Sequence, residues 1–352
     1  MSTVSSKEVS KIKGKQSIVF DNPPYIIGVS SIAGKKEGEG PLGNLIDTIH
    51  EDVLLGKNTW EEAESEFMKE AAEKALSKAG LVSEDIRYLL AGDLLGQLIA
   101  TSFGIMELRI PFFGLFGACS TIGEAMSIGA ILVDGGYADK VMAITSSHFA
   151  SAEKQFRFPL GYGNQRPYSA SWTVTGSGGV ILSNQKGNKM EGATVRIKGI
   201  TTGKIVDYGI KDTMNMGAAM APAACDTIKT NLSDMDIKAS YYDKIITGDL
   251  GYVGSDVLID LLKEENIDIS KNHMDCGKEI FDQESQDTHA GGSGCACAAI
   301  TFTSYVMKQL QEKKWKRVLL LPTGSLHSKV SYNEGNTMPG IAHGVVIEAG
   351  DD

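Results

Sequence analysis

This chain lacks any concentration of positive charge. Lys and Arg number 34 against 44 Asp and Glu, a formal net charge of −10, so the basic face needed to grip nucleic-acid phosphates is missing. Five cysteines in 352 residues are too few for a disulfide framework, and Cys295 and Cys297 have no second pair with which to build a zinc site. A reducing compartment is expected, with no metal or other cofactor held by the protein. No apolar h-region follows the start, so no signal peptide is expected. Long apolar runs are also scarce. The one of membrane length, Phe112 to Val133, carries Glu124 and several glycines and changes from a strand-like to a helix-like period, which reads as a buried segment and not a span.

What is present suits a large α/β protein. Hydrophobic residues make up 42% and charged residues 22%, and the 40 glycines provide for many tight strand-to-helix turns. Lys7, Lys11, Lys13 and Lys15 stand against Glu8 alone, so residues 1–22 read as a basic flexible tail, able to touch an anionic membrane surface weakly. After it, YIIGVSSIAG reads as a strand. Trp60, Ala63, Phe67, Ala71, Ala75 and Ala79 recur at helical spacing up to Gly80. IRYLLAGD and IPFFGLFGA follow as strands, residues 120–134 as an apolar helix opened by a Thr121/Glu124 capping box, and KVMAITSS as another strand.

The pattern then restarts. TVRIKGIT, a helix near 216–231, YYDKIITGD, a helix opening at Ser255 or Asp256, a polar loop holding QDTHAGGSGCACAAITF, a helix to Gln311, KRVLLLPTGS and GVVIEAG repeat the first half's order. Both halves contain a strand that ends in small hydroxyl residues, ADKVMAITSSH and KWKRVLLLPTGSLH. We read a duplicated α/β unit, with halves over 23–190 and 191–352. Alternation of strands and helices implies parallel pairing.

Cys119 sits where strand turns into helix, at the positive end of the helix dipole, a setting that favours a thiolate. Of the six histidines, His289 is the best-placed partner, because HAGGSG puts it just before the corresponding helix of the second half. Taken singly, each residue also fits a plain role, a buried small hydrophobe or a loop histidine.

Together the motifs resemble the thiolase superfamily, with its thiolases and ketoacyl-acyl-carrier-protein synthases. GACST at 117–121 is similar to the nucleophile turn, TGSGGVILS at 175–183 to the strand closing the first half, and HAGGSG at 289–294 to the thiolase GHPxGxSG loop. More narrowly, GACSTIGEAMSIGA, ITSSHFASAEKQFRFPLGYGNQRPYSASWTVTGSGG, TGDLGYVGSD and HAGGSGCACA resemble the stage V sporulation protein AD family of spore-forming bacteria. That resemblance implies a thiolase-like fold of two pseudo-symmetric α/β halves with mixed sheets and buried central helices. It also implies a non-spanning component of the spore's SpoVA system, peripheral at the spore inner membrane, which binds dipicolinic acid or its calcium chelate during uptake into the developing spore and release at germination. Other SpoVA proteins are the implied partners, and a homodimer is implied by the superfamily.

The enzymes' second catalytic set is not matched. The loops that should supply His or Asn read TGDLG and PTGSL, no cysteine follows Cys297, and Asp249 facing the nucleophile would oppose a thiolate or enolate. Efficient condensation is therefore not expected; the alternatives are residual acyl transfer through Cys119 to or from acyl-CoA or acyl-carrier-protein thioesters, and a scaffold whose pocket is vestigial. For a bound dicarboxylate, the expected contacts are Cys119, His289 and Asp249 together with His148, Lys154, Arg157 and Arg166 from the HFASAEKQFRFPLGYGNQRP segment, with Asp249 placed to see a chelated calcium.

Overall fold

The computed structural model describes residues 11–155, 160 and 165–350, so Arg157 and Lys7 lie outside the described residues. Strands of the first half include β1 (Ile12–Lys13), β2 (Ser17–Val19), β3 (Tyr25–Gly34), β4 (Tyr88–Asp93), β5 (Phe112–Gly114), β6 (Lys140–Ser147) and β7 (Gly176–Ser183). The second half contributes β8 (Thr194–Thr201), β9 (Lys244–Thr247), β10 (His273–Asp275), β11 (Arg317–Leu321) and β12 (Gly344–Gly350). The main helices are α1 (Trp60–Ala79), α2 (Thr121–Asp134), α3 (Phe149–Glu153), α4 (Met216–Asp234), α5 (Gly251–Glu264) and α6 (Cys295–Thr301), the last continuing through a π-type turn over Phe302–Val306 to Gln311.

The sheet runs β10-β9-β11-β12-β8-β3-β7-β6-β4-β5. Counted outward from the centre, the five first-half strands lie in chain order first, fifth, fourth, second, third, and so do the five second-half strands. Pairing repeats as well: β4 is parallel to β5 and β6, as β9 is to β10 and β11, while β7 and β12 are antiparallel to both neighbours. The duplication is therefore real at the level of topology, and the expected parallel pairing holds only for three strands of each half. The fifth strand of each unit returns antiparallel.

Alternation along the strands builds the layers, because successive side chains point to opposite faces. Val141 and Ala143 of β6 and Val180 and Leu182 of β7 join the central core with α2, while Met142, Ile144 and Ile181 pack in the layer that holds Phe67, Ala71 and Ala75 of α1. In the second half Val318, Leu320, Val345 and Ile347 face that same central core with α6, and Leu319, Leu321 and Val346 face α4 and α5. Thus α2 and α6 are enclosed between the two half-sheets, which is why neither shows a polar face.

Two expectations are corrected. Of the tail, residues 11–22 do not hang free: β1 and β2 form a hairpin whose second strand pairs with β8, Ser17 Oγ lies 2.8 Å from Thr201 Oγ1, Lys11 bonds Asp134, and Phe20 is buried. Ile18 and Phe20, two residues apart, are the apolar signal that the lysines obscured. The helix expected from Ser255 or Asp256 instead begins at Gly251. Its first turn is held by Asp275, which accepts from the backbone N–H groups of Leu250 and Gly251.

Candidate functional site

The start of each central helix carries a loop, and the two loops meet. At the first, Ala118 takes a left-handed φ of 48°, turning the chain so that Cys119 enters the core with 4% of its surface exposed. Thr121 Oγ1 donates to the Ala118 carbonyl at 2.6 Å and accepts from the Gly117 N–H at 3.1 Å. The expected Thr121/Glu124 capping box is not formed, since Thr121 already belongs to the helix and Ser120 is its N-cap. At the second loop, Gly294 adopts a φ of 105°, and a Cβ there would lie 2.7 Å from Ser147 Oγ. Cys295 Sγ donates to the Ala118 carbonyl at 2.9 Å, tying one loop to the other. The third approach is Gly324, where a Cβ would meet the Gly117 carbonyl oxygen at 2.1 Å. Only glycine lets the Thr323–Ser325 segment close on the Cys119 turn.

Asp249 lies at the centre of this convergence. It is 1% exposed and accepts from Thr323 Oγ1 at 2.7 Å, Ser293 Oγ at 2.9 Å and the Gly294 N–H at 3.2 Å. Ser293 Oγ is in turn 3.8 Å from Cys119 Sγ. Burial raises the Asp249 pKa, against the hydrogen bonds from Cys119, Thr323 and Ser293 that favour its charged form. Burial first, and the Asp249 and Cys295 charges next, push the Cys119 thiol well above its ordinary value. The dipole of α2 does not overcome this. The cysteine is held as a neutral thiol, hydrogen-bonded to the Asp249 carboxyl.

Cys119 is on the wall of a cavity of about 100 Å³, space for several waters at roughly 10–15 Å³ each. Its other polar lining is Glu153, Gln155, Thr173, Thr213, Ser293, Ser325, His327 and Ser328, with Leu94, Leu95, Met214 and Met216 as apolar wall. No Lys or Arg is among the described lining residues. Glu153 bonds the Thr173 hydroxyl at 3.0 Å, and Ser325 Oγ lies 3.0 Å from His327 Nδ1. Burial lowers the His327 pKa.

The sequence-selected residues divide. Cys119 lines the cavity and Asp249 sits immediately behind it, bonded to Ser293 of the wall, both of its carboxyl oxygens already engaged by hydroxyl and N–H donors. His289 is not brought to Cys119: its Nδ1 is 3.0 Å from the Pro167 carbonyl and its Nε2 pairs with Asp287. The residue of that motif which reaches the cysteine is Ser293, four positions on. His148 is also turned inward, with Nε2 bonded to the Val53 carbonyl, Nδ1 accepting the Ala150 N–H, and its ring against Trp60 and Phe67. The Arg166 guanidinium lies 4.7 Å over the Trp172 ring and donates to the Asp287 carbonyl, and Lys154 pairs with Glu61. None of these four is on the cavity wall. Sequence reasoning missed Ser293, Ser325 and His327, although HAGGSG and PTGSLH were both in view; the topology chooses which members of each string face inward.

Comparison with known proteins now discriminates. A sequence model of the stage V sporulation protein AD family matches residues 14–348. The chain belongs to the stage V sporulation protein AD family. It is 45% identical over 338 residues to stage V sporulation protein AD of Bacillus subtilis (strain 168), covering 96% of this chain and 98% of that protein. Among solved structures it is similar to cerulenin-bound OleA of Xanthomonas campestris, with a TM-score of 0.55 at 18% identity over 93% of this chain and 97% of that one. It is similar also to the 3-oxoacyl-(acyl carrier protein) synthase III FabH of Xanthomonas oryzae pv. oryzae, with a TM-score of 0.54 at 17% identity, covering 93% of this chain and 100% of that one. These likenesses establish the thiolase-like fold, and the sporulation family sits upon it.

Proposed function

We propose that this protein binds dipicolinic acid, alone or as its calcium chelate, in the cavity beside Cys119. It does so as a peripheral, non-spanning component of the SpoVA system at the spore inner membrane, working with other SpoVA proteins in dipicolinate uptake and release. Family membership supports the sporulation role. The observation that carries a binding role in place of a catalytic one is the Asp249 network. A site that keeps the strained Cys119 turn and a cavity, yet sets a carboxyl beside the thiol, retains the space for a ligand while suppressing the nucleophile. Hydroxyls of Thr213, Ser325 and Ser328 offer donors to carboxylate oxygens, those of Thr173 and Ser293 being already given to Glu153 and Asp249, and a chelated calcium would face the Glu153 carboxyl. No described helix is long and apolar enough to cross a membrane, which accords with a peripheral role.

Calorimetry of the purified protein with dipicolinate, with and without calcium, should give saturable heat below about millimolar ligand, the weak end of specific affinities. A folded protein that gives none overturns the reading. Acyl transfer through Cys119 is the competing reading, favoured by the cysteine's position at the start of α2. Incubation with acyl-CoA thioesters should leave the intact mass unchanged; a stoichiometric acyl adduct lost in Cys119→Ala would establish the enzyme instead.

A further inference from the structure

Two acidic side chains lie behind the cavity wall, and neither reaches water. Asp93, which ends β4, is fully buried, and Glu64 of α1 is 1% exposed. Asp93 Oδ1 accepts from the Leu95 N–H at 2.9 Å, while its Oδ2 accepts from the Thr101 N–H at 2.9 Å and the Thr101 hydroxyl at 2.6 Å. Asp93 thereby fixes the segment whose Leu94, Leu95 and Gly96 form one side of the cavity. Glu64 Oε1 is 3.0 Å from Ser146 Oγ, and its Oε2 is 2.5 Å from Ser151 Oγ, in the helix α3 that supplies Ala152 and Glu153 to another side.

The hydrogen-bond partners decide which of the two holds a proton. Burial first, and the Asp93 charge next, raise the Glu64 pKa, because two carboxyls shut away from water cannot both ionise. Backbone N–H groups can only donate, so Asp93, which receives two of them, is the anion. Glu64 meets hydroxyls, which can also accept. Ser151 Oγ lies 3.1 Å from the His148 carbonyl as well. Its single hydrogen cannot serve both acceptors fully, whereas a protonated Glu64 donates to Ser151 and leaves that hydrogen for His148. Resting on the dipicolinate reading above, we propose that Glu64 is a positioning residue whose proton holds α3 and the Leu94–Gly96 segment together around the ligand space. Loss of that proton to solvent leaves two buried like charges behind the wall, so the two sides part and a dianion between them binds less well. The other titratable groups facing the pair, among the described residues, do not replace it. Glu61 of α1 is paired with Lys154, the His148 ring is buried with its pKa lowered, and Cys295 at the start of α6 has its thiol pKa raised by burial. The Ile99–Ile105 helix, which carries Thr101, has no ionisable side chain.

Amide hydrogen exchange of the full chain, read by mass spectrometry and expressed as protection relative to intrinsic rates, tests this without a ligand. From about pH 7 to about pH 9.5, peptides covering 94–101 and 148–155 should lose protection by up to about tenfold per pH unit once Glu64 ionises, while peptides of β11 and β12 keep theirs. Glu64→Gln presents an amide that donates to Ser151 but cannot ionise, so its protection in both regions should stay flat. Calorimetry with dipicolinate over the same range should show affinity falling in the wild type and not in Glu64→Gln. Flat wild-type protection overturns the proposal, as does a loss that persists in Glu64→Gln or is shared equally by β11 and β12. If Glu64→Gln does not fold, the wild-type series decides alone. Absence of any dipicolinate heat at about pH 7 overturns the dipicolinate reading instead, and the exchange series still decides the role of Glu64.

Discussion

Asp249 and Cys119 form a buried pair in which burial and the Asp249 charge both disfavour the thiolate, while four donors around the carboxyl offset part of its own burial. Replacing Asp249 by Asn removes the repelling charge at nearly constant shape. Alkylation of Cys119 by iodoacetamide, followed by intact mass, should then accelerate by about tenfold or more, the equivalent of one pKa unit of thiol acidity. An unchanged rate would show that burial alone silences the thiol. Buried carboxyls elsewhere carry a separate consequence. Burial raises Glu37 and Asp275 each to about 7, and raises Glu64, whose oxygens accept from Ser146 and Ser151. These groups bind protons in the folded state that the unfolded chain has already released, so their contribution is present at low pH and is lost as pH rises through the folded values. The buried histidines His273 and His343, both lowered to about 4, act in the opposite direction but only below the ordinary histidine range. Between about pH 6.5 and about pH 8 the carboxyls therefore act alone, and unfolding free energy from urea titration should fall by roughly 1–3 kcal/mol. A flat or rising profile would contradict these assignments.

At the scale of elements, the β1–β2 hairpin shows how a charged segment is recruited. Its lysines remain at the surface while Phe20 enters the central core and Ser17 meets Thr201 across the β2–β8 ladder. Phe20→Ala should lower stability by about 3–5 kcal/mol, as for other large buried side chains. A loss below about 1 kcal/mol, measured by chemical denaturation, would mean that the hairpin merely lies on the surface. The helix starts were less legible. Gly251 begins its helix because a distant group, Asp275 from β10, receives the first turn, whereas at the other helix start the N–H groups of Ser120 and Thr121 are received by the Gly117 and Ala118 carbonyls of the preceding turn. A capping residue chosen from neighbouring sequence alone, such as Ser255, misses a long-range partner like Asp275.

Over the whole molecule, two equivalent half-sheets meet at β3 and β8, and their outer edges are β5 and β10. The β5 edge carries Phe112, 40% exposed, and Phe113, 49% exposed, with Phe116 close behind. An unpaired strand with such side chains invites pairing with another. We propose that a second copy covers this edge. Ultracentrifugation should then give about twice the 37.6 kDa chain mass, and Phe113→Lys should shift the protein toward monomer. A wild-type monomer at micromolar concentration would exclude it.

Local pattern was enough to establish the repeat of strands and helices, the enclosure of the apolar helix after Cys119, and the turn that holds the cysteine. Period and apolar content are properties of short stretches, and specific strings such as GACST and HAGGSG carry the family's fold with them. Which atoms meet in the cavity was decided by the tertiary structure. His148 and His289 are drawn away by backbone carbonyls and Asp287, while Ser293, Ser325 and His327 are brought in, because positive-φ backbone at Ala118 and Gly294 and the close approach at Gly324 select which neighbour points inward. Such selection depends on close packing between loops some 175 residues apart, as in the Cys295–Ala118 bond across 177 positions, and no local pattern encodes it.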